Sequence, residues 1–188
     1  MSIQIIPYEK KYLDDIRYIN VAVSTHPDKP LEEKILCQHL YIDYYAFNCP
    51  ENCFVALDAD KDLIAGYIIC ETDYRRFKKH LLEEYMTEAI ALHPDFEQII
   101  RDEIVPYEKW NDEYDAHMHM DVRPGYQHTG IGTMLIQRLF RHLREKDCKG
   151  VMLLVSKKNE GANRFYQKNG MDIIDVTECN VRGKRYER

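Results

Sequence analysis

No apolar run in the 188 residues approaches the roughly 20 residues that a bilayer-spanning helix needs, so no membrane span is read. The opening Met-Ser-Ile-Gln-Ile-Ile-Pro lacks a basic region followed by an apolar core. No signal peptide is read there, and a cytoplasmic location is expected. An excess of positive charge is also missing. Lys and Arg number 26 against 32 Asp and Glu, for a net charge of -6. A dedicated nucleic-acid binder is usually basic, so that class is set aside, while a cationic substrate such as an amine is permitted. There is no Gly-Lys-Ser/Thr loop and no three-glycine dinucleotide fingerprint. Six cysteines (Cys37, Cys49, Cys53, Cys70, Cys148, Cys179) are scattered through apolar segments. Cys49 and Cys53 lie close, but no second pair follows to complete a zinc set, so no metal is expected and the thiols read as reduced core residues. Internal repeats and low-complexity segments are absent.

What is there is ordinary for a globular chain: 45% hydrophobic and 31% charged residues, in a length that suits one domain, 1–188. Residues 3–6 read as a strand. Residues 8–23 read as a helix with Tyr12, Leu13, Ile16 and Ile19 on one face. A loop at 25–30 leads to a tyrosine-rich helix over 31–47. Residues 53–57 and 63–71 read as a hairpin joined by Asp58-Ala-Asp-Lys-Asp62, and Gly66 inside the second strand marks a bulge or a close backbone approach. The segment 73–112 is charged and aromatic, with two short helices near 74–91 and 95–104 and then a loop. Inserts of this length tend to be lids or binding elements; an added packing layer or a dimer contact fits equally. After Lys149 come a buried strand over 150–155, a helix over 159–168 and strands at 171–176 and 179–186.

The most informative stretch is His117-Met-His-Met-Asp-Val-Arg-Pro-Gly-Tyr-Gln-His-Thr-Gly-Ile-Gly-Thr-Met-Leu135. Residues 116–123 read as a strand stopped by Pro124-Gly125. From Gly130 the pattern turns helical, with Ile131, Met134, Leu135, Leu139 and Leu143 on one face. The first amides of such a helix lack intrahelical partners and sit at the positive end of its dipole. Glycine lets a ligand approach them, so strand, glycine loop and helix together suit a pyrophosphate; a plain turn that happens to need glycine is the simpler alternative.

Gln127-x-x-Gly130-x-Gly132 resembles the acetyl-CoA motif of the GNAT N-acetyltransferases, Gln/Arg-x-x-Gly-x-Gly/Ala between a strand and a helix. A second block agrees. Asn159-Glu-Gly-Ala162-Asn-Arg-Phe165-Tyr166-Gln-Lys-Asn-Gly170-Met171 is similar to the family's Asn-x-x-Ala-x-x-Phe/Leu-Tyr-x-x-x-Gly-Phe, departing only at Met171. The resemblance implies an α/β (α+β) GNAT fold: a mixed, mostly antiparallel sheet of about seven strands, splayed at the fourth and fifth and flanked by helices. Residues 73–112 would be a helical insertion between the third and fourth strands. It implies acetyl-CoA as cosubstrate, cradled by the amides of Gln127, His128, Thr129, Gly130, Ile131, Gly132 and Thr133, with the backbone of Met120 and Val122 pairing with the pantetheine arm. Asn159 matches a cofactor-contacting position, although a plain N-cap explains it equally. Tyr166 matches the family's general acid, well suited to protonate a departing thiolate; packing in the core is its alternative.

His117, His119 and Asp121 alternate with methionines and so share one strand face. His119 or Asp121 could serve as base, as could Glu71 or Asp73; a hydrogen-bonded structural row is the alternative. Tyr114-x-Ala116-His117-x-His119-x-Asp121, the long insertion and Gly66-Tyr67-Ile68 are similar, more loosely and over about residues 7–176, to the subgroup typified by the acetyltransferase-like domain of O-GlcNAcase. The resulting expectation is direct acetyl transfer to a small-molecule or peptide amine in a ternary complex. The rivals are a non-catalytic acyl-CoA-binding or protein-interaction module and a transferase for a larger acyl group. A homodimer is the default among oligomers.

Overall fold

The computed structural model describes residues 2–24 and 30–186. The loop expected at 25–30 lies, apart from Pro30, outside the described residues. Among the described residues seven strands are present: β1 (Ile3–Pro7), β2 (Phe54–Asp58), β3 (Leu63–Glu71), β4 (Ala116–Val122), β5 (Gly150–Ser156), β6 (Asp172–Val176) and β7 (Cys179–Arg185). Their order in the sheet is β1-β2-β3-β4-β5-β7-β6. β4 and β5 run parallel, with Ala116 opposite Val151 and His117 opposite Met152. The pairs β1–β2, β2–β3, β5–β7 and β6–β7 are antiparallel. The expected mixed, mostly antiparallel sheet is therefore present. The helices are α1 (Leu13–Val23), α2 (Leu31–Gln38), α3 (Tyr44–Asn48), α4 (Tyr74–Lys79), α5 (Met86–Leu92), α6 (Phe96–Trp110), α7 (Ile131–Glu145) and α8 (Glu160–Lys168). The chain forms two compact units, Met1–Cys70 with His119–His142, and Glu71–Met118 with Leu143–Arg188.

In the first unit, β1, β2 and β3 form a meander whose register shifts between Ala56 and Leu57. The shift falls beside Gly66. A Cβ on that glycine would stand 3.0 Å from the Asp121 carbonyl oxygen and 3.2 Å from Leu135 Cδ1. Gly66 thus lets β3, β4 and α7 approach closely, and any side chain would wedge them apart. The first helix starts later than expected. The Tyr8 amide still donates to the Cys53 carbonyl at 2.9 Å, prolonging the β1–β2 ladder. A single 3₁₀ turn at Lys10–Tyr12 then precedes α1. Asp14 and Asp15 occupy the first turn of α1, where its dipole favours acids, and Leu13, Ile16 and Ile19 are buried.

The helix expected over 31–47 is α2 and α3 joined by a π-helical turn at His39–Asp43. The widened turn re-phases the buried set, so that Leu36, Leu40, Ile42, Tyr44 and Tyr45 all point inward. Arg17 holds the turn to α1 by a bidentate pair with Asp43, at 2.8 and 2.7 Å. The buried stripe of α7 is Ile131, Leu135, Ile136, Leu139, Phe140 and Leu143. Met134, expected on that face, lies on its flank and is 42% exposed.

In the second unit a second π-helical turn, His80–Tyr85, joins α4 to α5. The loop expected after residue 104 is instead helix, because α6 runs through Pro106 to Trp110. Proline removes one backbone donor. Burial of Phe96, Ile100, Ile104, Pro106 and Tyr107 along one face outweighs that loss. His117 lies in this core, its ring 4.5 Å from Phe77 and 4.4 Å from Tyr107 between centroids.

Candidate functional site

β4 ends at a clamp. The Arg123 amide donates to the Ala65 carbonyl at 2.9 Å. Its guanidinium donates to the Ile64 carbonyl at 2.7 Å and to Asp15 at 3.0 Å. After Pro124-Gly125 the Tyr126 hydroxyl donates to Asp58 at 2.8 Å, and both residues are buried. The loop beyond is therefore anchored at both of its first turns. The Thr129 hydroxyl donates to the Tyr126 carbonyl at 2.6 Å, and the Gln127 amide group reaches back to the Val122 carbonyl at 3.4 Å.

His128 and Gly130 adopt left-handed backbone, with φ of 62° and 91°. Alternating left-handed residues turn successive amides toward one side, which makes an anion cradle. The ladder of α7 opens with the Met134 amide donating to the Gly130 carbonyl at 3.1 Å. By helix geometry the amides of Ile131, Gly132 and Thr133 then have no intrahelical acceptor. Ile131 is buried and holds the helix down, while Gln127, His128, Thr129, Gly130 and Thr133 are exposed. A Cβ on Gly130 would meet nothing within 4 Å. Gly130 faces open space, and its left-handed φ favours glycine. These residues fit a pyrophosphate.

Upstream on β4, Met120, Asp121 and Val122 are half-buried. His119 Nε2 lies 3.0 Å from the Tyr45 hydroxyl. Its ring meets Tyr41 and Tyr45 edge-on, at 5.3 and 5.2 Å. Enclosure by these rings pushes its pKa down to about 4, so the imidazole is neutral at pH 7. Asp121 accepts a short hydrogen bond from the Tyr67 hydroxyl, which itself accepts from Asn20 at 3.4 Å. Burial pushes Asp121 up to about 6, and the bonds from Tyr67 and Asn20 pull it back part of the way. The sequence alone assigns no site role to Asn20, Tyr41, Tyr45 or Tyr67. The four-residue spacing of Tyr41 and Tyr45 was the available sign, and the π-helical turn that aims them was not readable.

The same fold distributes the other candidates. His117 is a core ring of the second unit. Glu71 is fully buried and accepts from the Thr72 and Asp73 amides at 2.7 and 2.8 Å and from Arg76 at 2.7 and 3.0 Å. Asp73 caps α4 by accepting from the Arg76 amide at 3.1 Å. Both carboxylates are thus committed to structure. Asn159 is the N-cap of α8, accepting from the Ala162 amide at 3.0 Å. Tyr166, on α8, is 8% exposed.

Residues 100–171 match the model of the acetyltransferase (GNAT) family. The chain has the GNAT fold. A crystal structure of SsHAT superposes with a TM-score of 0.83 at 21% identity, covering 98% of each chain. PH1933 from Pyrococcus horikoshii OT3 gives 0.68 at 19% identity over 100% of both chains. The PaiA N-acetyltransferase of Thermoplasma acidophilum, solved in complex with coenzyme A, gives 0.65 at 15% identity over 99% of this chain and 100% of its own. No curated protein sequence matches the chain. The glycine loop and β4 both fall inside the segment that matches the GNAT model. Among the described residues no group of three or more His, Cys, Asp or Glu is placed to hold a metal. No helix among them is long and apolar enough to cross a membrane.

Proposed function

We propose that this GNAT chain moves an acetyl group directly from acetyl-CoA to a primary amine of a small molecule or peptide. The observation that carries this reading is the cradle at 128–133: two left-handed residues, helix-opening amides and open space above Gly130. The coenzyme A complex of the PaiA N-acetyltransferase, a neighbour of the same fold, supports the same ligand class. Acetyl-CoA, when bound, supplies an acyl carbon activated as a thioester. The amides of Ile131, Gly132 and Thr133 would hold its pyrophosphate, with Gln127, His128 and Thr129 shaping the approach. The backbone of Met120 and Val122 would carry the pantetheine arm. Asp121 or His119 would take a proton from the amine, and Tyr166 would give one to the departing sulfur. Asn159 is the N-cap of α8.

Direct transfer, rather than an intermediate on Cys148, is supported by the state of that thiol. Burial pushes Cys148 up to about 11, far from the thiolate that nucleophilic attack needs. A panel of amines assayed for thiol release from acetyl-CoA tests the reading. Release that requires an amine, and that falls in Tyr166→Phe, is expected. Tight coenzyme A binding with no release from any amine would leave a binding module instead.

A further inference from the structure

The chain from Leu31 to Asn48 is helical throughout, with a π-helical turn in its middle. In a regular helix the Tyr44 amide would reach back four residues to the Leu40 carbonyl. Here it donates to the His39 carbonyl, five residues back. The extra residue rotates everything after it by about 100° relative to α2, and so decides where Tyr45 points. Two contacts flank the turn. On the inside Tyr45, fully buried, sets its hydroxyl 3.0 Å from His119 Nε2, and Tyr41 lies edge-on to the same ring. On the outside Asp43, midway between the two tyrosines in sequence, accepts from Nε and Nη2 of Arg17 at 2.8 and 2.7 Å. The Asp43 side chain is 14% exposed and that of Arg17 32%. A bidentate, charge-assisted bond fixes direction as well as distance. Asp14, the other acid beside Arg17, is 3.7 Å from Nη1 and 97% exposed, so it adds little. All of these residues belong to the first unit.

We propose that Arg17 and Asp43 are positioning residues for His119: their ion pair holds the turn in the register that closes Tyr41 and Tyr45 on the imidazole and keeps it neutral. Without the pair the turn relaxes to regular helix, Tyr45 swings away and water reaches the ring. The titratable groups around His119 are Tyr41 and Tyr45 from the helical side, Asp121 on its own strand and, behind Asp121, Tyr67 of β3; α1 supplies Asn20, one turn beyond Arg17. Burial alone accounts for the low value of the ring, about 4, with no charged neighbour contributing, so opening the enclosure is enough to raise it. The consequence for turnover rests on the transferase reading with His119 as the base; the enclosure itself does not. A neutral imidazole has an acceptor nitrogen for the proton of an amine, and a protonated one has none.

The test follows the His119 ring by NMR in the full chain, with its signal assigned by loss in His119→Gln. In the parent the ring should stay neutral from about pH 8 down to about pH 5. Asp43→Ala and Arg17→Met should each bring its titration up toward the ordinary value of about 6.5. Asp14→Ala should leave it in place. Arg17→Lys keeps the charge and loses the fork, so it should fall between the parent and Arg17→Met, and it decides the question where the other two fail to fold. A ring that stays neutral to about pH 5 in the folded variants of the pair, or that moves as far in Asp14→Ala, overturns the positioning role. A merely structural pair would lower the thermal midpoint with the titration unmoved. In thiol-release assays Asp43→Ala should lose about fourfold in kcat/KM between about pH 8 and about pH 6, beyond any loss in the parent, because about a quarter of an imidazole with its ordinary pKa is neutral at the lower pH. An identical profile in parent and variant overturns the role in turnover. A parent that releases no thiol with any amine contradicts the transferase reading, and the titration then judges the ion pair by itself.

Discussion

The two ends of β4 put the same residue types to opposite uses. At its start, Ala116, His117 and Met118 are buried, and the His117 imidazole is packed between Phe77 and Tyr107 as an aromatic core residue. Two positions further on, His119 meets the edges of Tyr41 and Tyr45, is half-buried, and leads through Asp121 to the loop at 123–130. Alternation along the strand treats these positions as equivalent. What separates them is the layer that packs on each. The first belongs with the rings of α4 and α6. The second belongs with the tyrosines of a re-phased helix and a hydrogen-bond chain through Tyr67 and Asn20. Both histidines meet aromatic rings; His117 is fully enclosed by them, whereas His119 keeps part of its surface accessible and lies 3.0 Å from the Tyr45 hydroxyl.

Three substitutions sharpen this contrast. The largest effect belongs to His117→Ala, which removes a fully enclosed ring. It should lower stability by about 3 kcal/mol, toward the lower end for a buried aromatic, and leave the coenzyme A response in place. Denaturant unfolding measures it; a loss below about 1 kcal/mol would make His117 something other than core. Next comes Asp121→Asn. Its carboxyl titrates near 6 in the folded protein, above its ordinary value, so the folded state holds the proton more tightly than the unfolded chain does. The charged form is therefore a cost above pH 6 that disappears toward pH 4. The variant should be more stable than the parent by roughly 2–3 kcal/mol at pH 7.5, with the gain fading on acidification. An equal midpoint at both pH values would contradict the burial of Asp121. The smallest is His119→Gln. The folded imidazole resists protonation down to about 4, whereas the unfolded one takes a proton near 6.5. Parent stability should therefore fall as pH drops through that window, and the variant should flatten that slope. An unchanged slope would remove the tyrosine enclosure as its cause.

The glycine loop was legible from the sequence because its demands are local. A left-handed backbone at Gly130, a strand stop at Pro124-Gly125 and a periodic helix each leave a mark within a few residues. The β2–β3 hairpin and the sheet were legible for the same reason, and Gly66 signalled the close approach at which Asp121 and Leu135 are found. The π-helical turns at His39–Asp43 and His80–Tyr85 were not. One extra residue in a turn leaves the composition of an amphipathic helix unchanged while rotating everything after it. The end of α6 was misplaced because Pro106 is a helix breaker by local rule, and only burial of its flanking face overrides that rule. The partners of Asp121 were illegible because Asn20 and Tyr67 are distant in sequence, and no local pattern marks their convergence.

The most direct measurement is the thermal midpoint with acetyl-CoA, coenzyme A or ATP, on the parent chain and on Gly130→Glu. A ligand that binds the folded state raises the midpoint, by about 2.7 kcal/mol of stability at a hundred times its Kd. Acetyl-CoA and coenzyme A should raise it and ATP should not. Gly130→Glu, which adds a carboxylate and forces a side chain onto a left-handed position in the loop, should lose the response. No rise with acetyl-CoA in the parent, or an undiminished rise in the variant, would contradict the placement of the cofactor at this loop.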